Sequence, residues 1–263
     1  MFAEIKNKVI HFYDSGQTDK PVLIFLHAFP LNHKMWLKQT RFFRDNYRVI
    51  APDFYGFGVS SRNNYIYTID FFADEVFELM EFLKLEKANF VGLSMGGYVL
   101  FRLFEKYPEK IKSIILASTR SEADSNTGKV LRSKTIENIL TNELNSFAED
   151  FVNNLFTNNA NESDVNEIIE MIKSADNFSV AAALVALSAR VDSNQMLAKI
   201  NIPTCVICGS NDNLTPISCS ENLHKNIKNS TLNIINGASH LCNIEQSEEF
   251  NNIVSDFLKN NAD

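Results

Sequence analysis

The chain carries no run of basic residues, and its 25 Lys and Arg are outnumbered by 32 Asp and Glu, for a formal net charge of −7. That balance argues against nucleic acid or an anionic membrane surface as a partner. No apolar stretch is long enough to span a bilayer. The amino terminus, Met1-Phe2-Ala3-Glu4-Ile5-Lys6-Asn7-Lys8, lacks the apolar core of a signal peptide, which predicts a cytoplasmic address. Internal repeats are absent too. Cysteine is sparse, with four residues in all. Cys205 and Cys208 are spaced C-x-x-C but lie in a strand-like run, where residues three apart point to opposite faces. No second pair has matching spacing, so we expect neither a zinc site nor a redox pair, only reduced thiols acting as small core residues. What remains is an ordinary globular composition, 45% hydrophobic over 263 residues, enough for one large α/β domain with an insertion.

The first third alternates two periodicities. Phe2–Ile5 and residues 8–13 read as a hairpin, and Val22–Leu26 is the continuous apolar run of a buried parallel strand. A helix over residues 35–45 and a strand over 47–51 follow. Apolar positions at Phe72, Val76, Leu79, Met80 and Leu83 predict an amphipathic helix over 70–85. Strands over 88–91 and 113–117 enclose one more helix. The rhythm then breaks: residues 121–198 show helical patterns only, at 136–140, 144–155, 165–172 and 180–187. Strands resume at 203–209 and Ser230–Ile235, before a closing helix over 247–259. Strand–helix alternation implies a mostly parallel sheet covered on both faces. The all-helical segment 121–198 reads as a cap inserted into a core formed by residues 1–120 and 199–263.

Within this frame one pentapeptide carries chemistry. Gly92-Leu93-Ser94-Met95-Gly96 sits between the strand at 88–91 and a helical run from Gly97. Gly-x-Ser-x-Gly at a strand-to-helix turn is the pattern of a nucleophile elbow, which lifts a serine hydroxyl clear of the sheet. The pattern alone arises by chance in about one chain in ten of this length, given glycine near 7% of residues. Its companions decide the matter. His27-Ala28-Phe29-Pro30 follows the strand ending at Leu26, where a tight loop can aim the Phe29 N–H at the target of the serine; Met95 supplies a second donor. His27, placed before the elbow, is expected to brace that loop. Asp212 ends Gly209-Ser210-Asn211-Asp212 after the strand that follows the helical segment; it could orient an imidazole, or it could be a turn residue. His240, in Asn236-Gly237-Ala238-Ser239-His240 after the last strand, is the candidate general base. The chain order Ser94, Asp212, His240 is the one expected of an α/β-hydrolase triad.

With these residues in place, the sequence resembles the α/β-hydrolase superfamily along nearly its whole length. Asp53-Phe54-Tyr55-Gly56-Phe57-Gly58-Val59-Ser60 resembles the family loop after strand four, and Gly92-Leu93-Ser94-Met95-Gly96-Gly97 its elbow. The resemblance implies an eight-stranded, mostly parallel sheet flanked by helices, with a helical cap inserted after strand six. It also implies a triad of Ser94, Asp212 and His240, oxyanion donors at Phe29 and Met95, and Asp53 as a loop organiser. Ala28 departs from the glycine of many relatives. Where some relatives hold the acid after strand six, this chain reads Ala117-Ser118-Thr119-Arg120, with no carboxylate.

Serine at the elbow excludes the alkyl-enzyme chemistry of haloalkane dehalogenases and epoxide hydrolases, which need aspartate there, and the cysteine of dienelactone hydrolases. It suits acyl transfer through an acyl-enzyme, with no metal or organic cofactor. The pattern is most similar to small bacterial carboxylesterases and the 3-oxoadipate enol-lactonase group, and the expected partner is a small ester or lactone. Phe147, Phe151, Phe178 and Leu184 suggest an apolar acyl pocket. A carboxylate-bearing lactone would instead need a cation, for which Arg120, Arg132 and Arg190 are available. A ligand receptor that retains the triad, and a carbon–carbon bond hydrolase, stay open at this point.

Overall fold

The computed structural model describes residues 1–62, 67–142 and 144–261. Eight strands form one sheet: β1 (Phe2–Ile5), β2 (Lys8–Asp14), β3 (Val22–Leu26), β4 (Arg48–Pro52), β5 (Ala88–Leu93), β6 (Ile111–Ala117), β7 (Thr204–Gly209) and β8 (Ser230–Ile235). Their spatial order is β1-β2-β4-β3-β5-β6-β7-β8. The β1–β2 and β2–β4 pairs are antiparallel, and the other pairs are parallel. β5 and β7 are buried along their whole length, as strands covered on both faces must be. β8, at the edge, is only partly covered.

Helices α1 (Leu37–Phe43), α2 (Ile69–Phe82), α3 (Met95–Lys106), α9 (Ile217–Asn226) and α11 (Ser247–Asn260) accompany the sheet, with the short turn α10 (Cys242–Glu245) before the last. The chain moves from β3 outward to β4, then returns to the other side of β3 for β5. The carboxyl ends of β3 and β5 therefore flank a topological switch point, where open α/β sheets leave a crevice for ligands. Leu26 at the end of β3 lies in register with Gly92 of β5.

Between β6 and β7 run α4 (Asn126–Asn142), α5 (Leu144–Val152), α6 (Glu162–Lys173), α7 (Asn177–Ala189) and the short α8 (Asn194–Leu197). Side chains cap two of them: Asn161 accepts from the Ser163 N–H and Asp176 from the Ser179 N–H. The base of this insertion is closed by a backbone bond from the Ser193 N–H to the Ser121 carbonyl, 2.8 Å. Its far end is stitched to the core elsewhere. Leu241 N–H donates to the Leu155 carbonyl at 3.0 Å. Glu245 accepts from the backbone N–H and the hydroxyl of Thr157 at 2.8 and 2.7 Å.

The helix expected at 136–140 is longer, reaching back to Asn126, and α9 was not expected at all. Both are helices with little apolar signal. Val130, Leu131 and Leu140 of α4 are exposed, while α9 buries only Ser220 and Leu223.

Candidate active site

The candidate nucleophile, acid, base and oxyanion donors all follow the carboxyl ends of parallel strands. Ser94 takes φ 55° and ψ −111° between β5 and α3. A non-glycine residue in that region costs about 1–3 kcal/mol and persists only where its surroundings fix it. Here they do. The Ser94 N–H donates to the Ala117 carbonyl of β6 at 3.0 Å, and its own carbonyl accepts from the Thr119 hydroxyl at 2.8 Å. The flanking glycines are there for space. A Cβ on Gly96 would overlap the Leu26 carbonyl, and one on Gly97 would overlap the Thr119 side chain. Ser94 itself is half-buried. Met95 opens α3, so its N–H has no intrahelical acceptor.

The loop after β3 is held from below. His27 is fully buried; its Nε2 accepts from the Phe54 N–H at 3.0 Å, so Nδ1 carries the proton toward the Ala28 carbonyl, 2.9 Å away. Burial pushes the imidazole down to about 4, so the ring is neutral at pH 7. With both nitrogens spent on backbone, His27 braces the loop. The Ala28 carbonyl also accepts from the Leu31 N–H, and the Ala28 methyl is buried without displacing the turn. Phe29 follows, its peptide to Pro30 cis, and its ring packs edge-on against Phe147 and Phe151 of α5.

Asp212 and His240 come together from the loops after β7 and β8, with His240 Nδ1 2.8 Å from Asp212 Oδ2. These loops are pressed against each other. A Cβ on Gly209 would overlap the Ala238 and Ser239 carbonyls. Burial raises the Asp212 carboxyl, but the adjacent His240 and the hydrogen bonds from His240 and Thr215 outweigh it and hold the group below the usual range. An ionised carboxylate only accepts, so Nδ1 of His240 donates to Asp212. Sequence reasoning missed Thr215. Its hydroxyl donates to Asp212 Oδ2 at 2.6 Å, and its N–H and that of Leu214 donate to Oδ1, each at 2.9 Å. The signal was Asn213-Leu214-Thr215 directly after an aspartate, an Asx-type turn in which the acid binds its own loop. Glu245 was missed as well; it accepts from the Ser239 N–H at 2.6 Å, beside His240.

Asp53 stands at the end of β4, fully buried, and accepts from the His33 N–H at 2.7 Å and the Val59 N–H at 3.2 Å. It organises the loops after β3 and β4. Gly58, at φ 55°, cannot hold a Cβ because the Asp53 carboxylate occupies that space.

The three arginines considered for a substrate carboxylate are committed to protein partners. Arg190 pairs with Asp124 at 2.6 Å, donates to the Leu187 and Glu122 carbonyls, and lies over the Tyr98 ring at 4.4 Å. Arg132 pairs with the other oxygen of Asp124, and Arg120 donates to the Leu214 carbonyl. Of the expected pocket residues, Phe147 and Phe151 stack on each other beside Phe29, Leu184 is buried, and Phe178 is exposed. All four cysteines are free thiols, with Cys205, Cys208 and Cys242 buried. Burial pushes the Cys242 thiol up to about 12, so it is no nucleophile at neutral pH.

A strained serine at a strand–helix turn and a buried histidine–aspartate pair, on one edge of a doubly wound sheet, define a hydrolase architecture. The family model of the alpha/beta hydrolase fold matches residues 21–247, and the chain belongs to that family. It is 32% identical over 256 residues to 3-oxoadipate enol-lactonase 2 of Acinetobacter baylyi, covering 95% of this chain and 93% of that one. Among solved structures it is similar to a thermophilic esterase from Thermogutta terrifontis (TM-score 0.94, 30% identity, 100% and 99% covered). It is also similar to the enol-lactonase from Burkholderia xenovorans LB400 (TM-score 0.92, 25% identity, 98% and 100% covered). No helix among the described residues is long and apolar enough to cross a membrane.

Proposed function

We propose that this chain is a serine hydrolase of the esterase and lactonase kind, acting on a small, fairly apolar carboxylic ester or lactone. Ser94 attacks the carbonyl carbon, His240 takes the hydroxyl proton on Nε2 and returns it to the leaving alcohol, and Asp212 orients the imidazole. The N–H groups of Met95 and Phe29 receive the negative oxygen of the tetrahedral intermediate. Water then repeats the sequence on the acyl-enzyme. The helical segment 121–198 acts as the cap, with the Phe147–Phe151 pair set beside Phe29 on the acyl side. The observation that carries this reading is the buried 2.8 Å His240–Asp212 pair, which fixes the tautomer a general base needs.

The test is turnover of p-nitrophenyl acetate. Ser94→Ala should abolish it, by about 10⁶ in kcat, and a phosphonate should label Ser94 in the parent. No turnover and no labelling would sink the enzyme and favour a ligand receptor. A second reading has an observation behind it: the likeness to two enol-lactonases supports activity on a carboxylate-bearing lactone. Against it stand the three arginines, all engaged with protein groups. Relative kcat/KM on neutral short esters and on an acidic enol-lactone separates the two, and we expect the neutral ester to be preferred.

A further inference from the structure

Away from Ser94, two histidines converge on the carboxylate of Asp53. His33, in the 3₁₀ turn His33–Trp36, places Nδ1 2.6 Å from Asp53 Oδ1, and His11 of β2 places Nδ1 2.9 Å from Asp53 Oδ2. The two rings lie 4.7 Å apart, and one donor atom from each of the three residues falls within a 4.8 Å sphere of separation. We propose that His11, His33 and Asp53 form a binding site for a divalent transition metal of the zinc, cobalt or nickel class.

The chemistry of the donors selects that class. Two imidazoles and one carboxylate suit borderline first-row metals, whereas calcium and magnesium take oxygen sets. Metal–nitrogen and metal–oxygen bonds near 2.0–2.2 Å require the donors to stand about 3 Å apart. The Nδ1-to-carboxylate distances, 2.9 and 2.6 Å, are near that size, and all three donor atoms lie within 4.8 Å of one another, so the two rings need only close slightly on the ion. The ligands sit on a strand, a helical turn and a strand end, so the site is pre-positioned by the fold. The carboxylate is further held by the N–H groups of His33 and Val59, an outer shell of the kind that fixes metal ligands. Asp53 is closed to solvent, while the two imidazoles are 16% and 19% exposed and offer a way in. On binding, the proton each ring shares with the carboxylate moves to Nε2, and the metal replaces two hydrogen bonds with three coordinate bonds.

The experiment uses the whole chain, cleared of metal with a chelator and titrated with cobalt(II). We expect saturable, one-to-one growth of visible d–d absorption and a melting temperature raised by about 5 °C at saturation. His11→Asn and His33→Asn keep an N–H donor toward Asp53 but lose the imidazole lone pair. Each should fold normally by circular dichroism and weaken cobalt binding about 100-fold or more. His224→Asn, an exposed histidine elsewhere, should bind as the parent does. The proposal is overturned if the parent shows no cobalt spectrum at large molar excess, or if folded His11→Asn and His33→Asn retain parental affinity.

Discussion

Two buried aspartates, Asp53 and Asp212, each follow a strand of the same sheet and each hold imidazole nitrogen within 2.9 Å, yet they serve different ends. Asp212 binds its own turn through Leu214 and Thr215 and meets one histidine on the oxygen it shares with the Thr215 hydroxyl. That histidine meets Asp212 at 2.8 Å and the Thr215 hydroxyl at 3.4 Å, both through Nδ1. Asp53 binds elements from three parts of the chain: β2, the turn after β3, and the loop at Val59. It is a clasp. A histidine–aspartate contact is therefore not a catalytic signature by itself. What separates the two is whether the carboxylate is anchored locally, leaving the imidazole as its one long-range partner.

Substitutions that treat the two acids alike test that distinction. Asp212→Asn should keep the loop but permit the wrong His240 tautomer, lowering kcat for ester hydrolysis about 10⁴-fold with little change in melting temperature. Asp53→Asn should do the reverse. Losing an ionised acceptor for four donors costs on the order of 3 kcal/mol, or a fall of about 6–12 °C, with kcat within roughly tenfold of the parent. Equal kinetic losses from both would break the comparison.

A third carboxylate sharpens it through pH. Burial pushes Glu75 of α2 up to about 8, although it accepts from the Tyr55 N–H at 3.0 and 3.2 Å. Its folded value lies above the ordinary carboxyl value of 4.5, so the native state holds the extra proton between those limits. The stability this group contributes is full at low pH and is lost as pH rises through about 8. Thermal melts of the parent should weaken between about pH 4.5 and 8 by a few kcal/mol and level off above that, and Glu75→Gln should flatten that slope. A parent that melts alike across the range would show Glu75 ionised in place. The smallest effect is expected at Thr215→Val, which removes one hydrogen bond from Asp212. About 1 kcal/mol of lost orientation gives a five- to tenfold fall in kcat at unchanged KM.

The middle of the sheet was legible because β3, β5 and β7 are largely apolar, buried runs, and the helical segment because α5 and α6 repeat their apolar residues at helical spacing. α9 was not legible. Its burial rests on Ser220 and Leu223, too few positions to mark a period. Of the aromatics expected around the acyl group, Phe147 and Phe151 stack on each other and Phe178 is exposed, since a surface helix exposes one aromatic as readily as it buries another. Thr215 lay in plain sight, but a threonine three residues from an aspartate is common, and only the 2.6 Å contact gives it meaning.

The sequence by itself determined the order of the loops and the glycines that let strands, elbow and histidine loop close on one another. Those features depend on local backbone geometry and on spacing along the chain. The tertiary structure alone decided which polar groups meet: that Arg120, Arg132 and Arg190 donate to protein groups, that His27 spends both nitrogens on backbone, and that His11 and His33 meet on Asp53. These pairings join residues on separate elements, brought together only when the sheet forms. No local pattern encodes them.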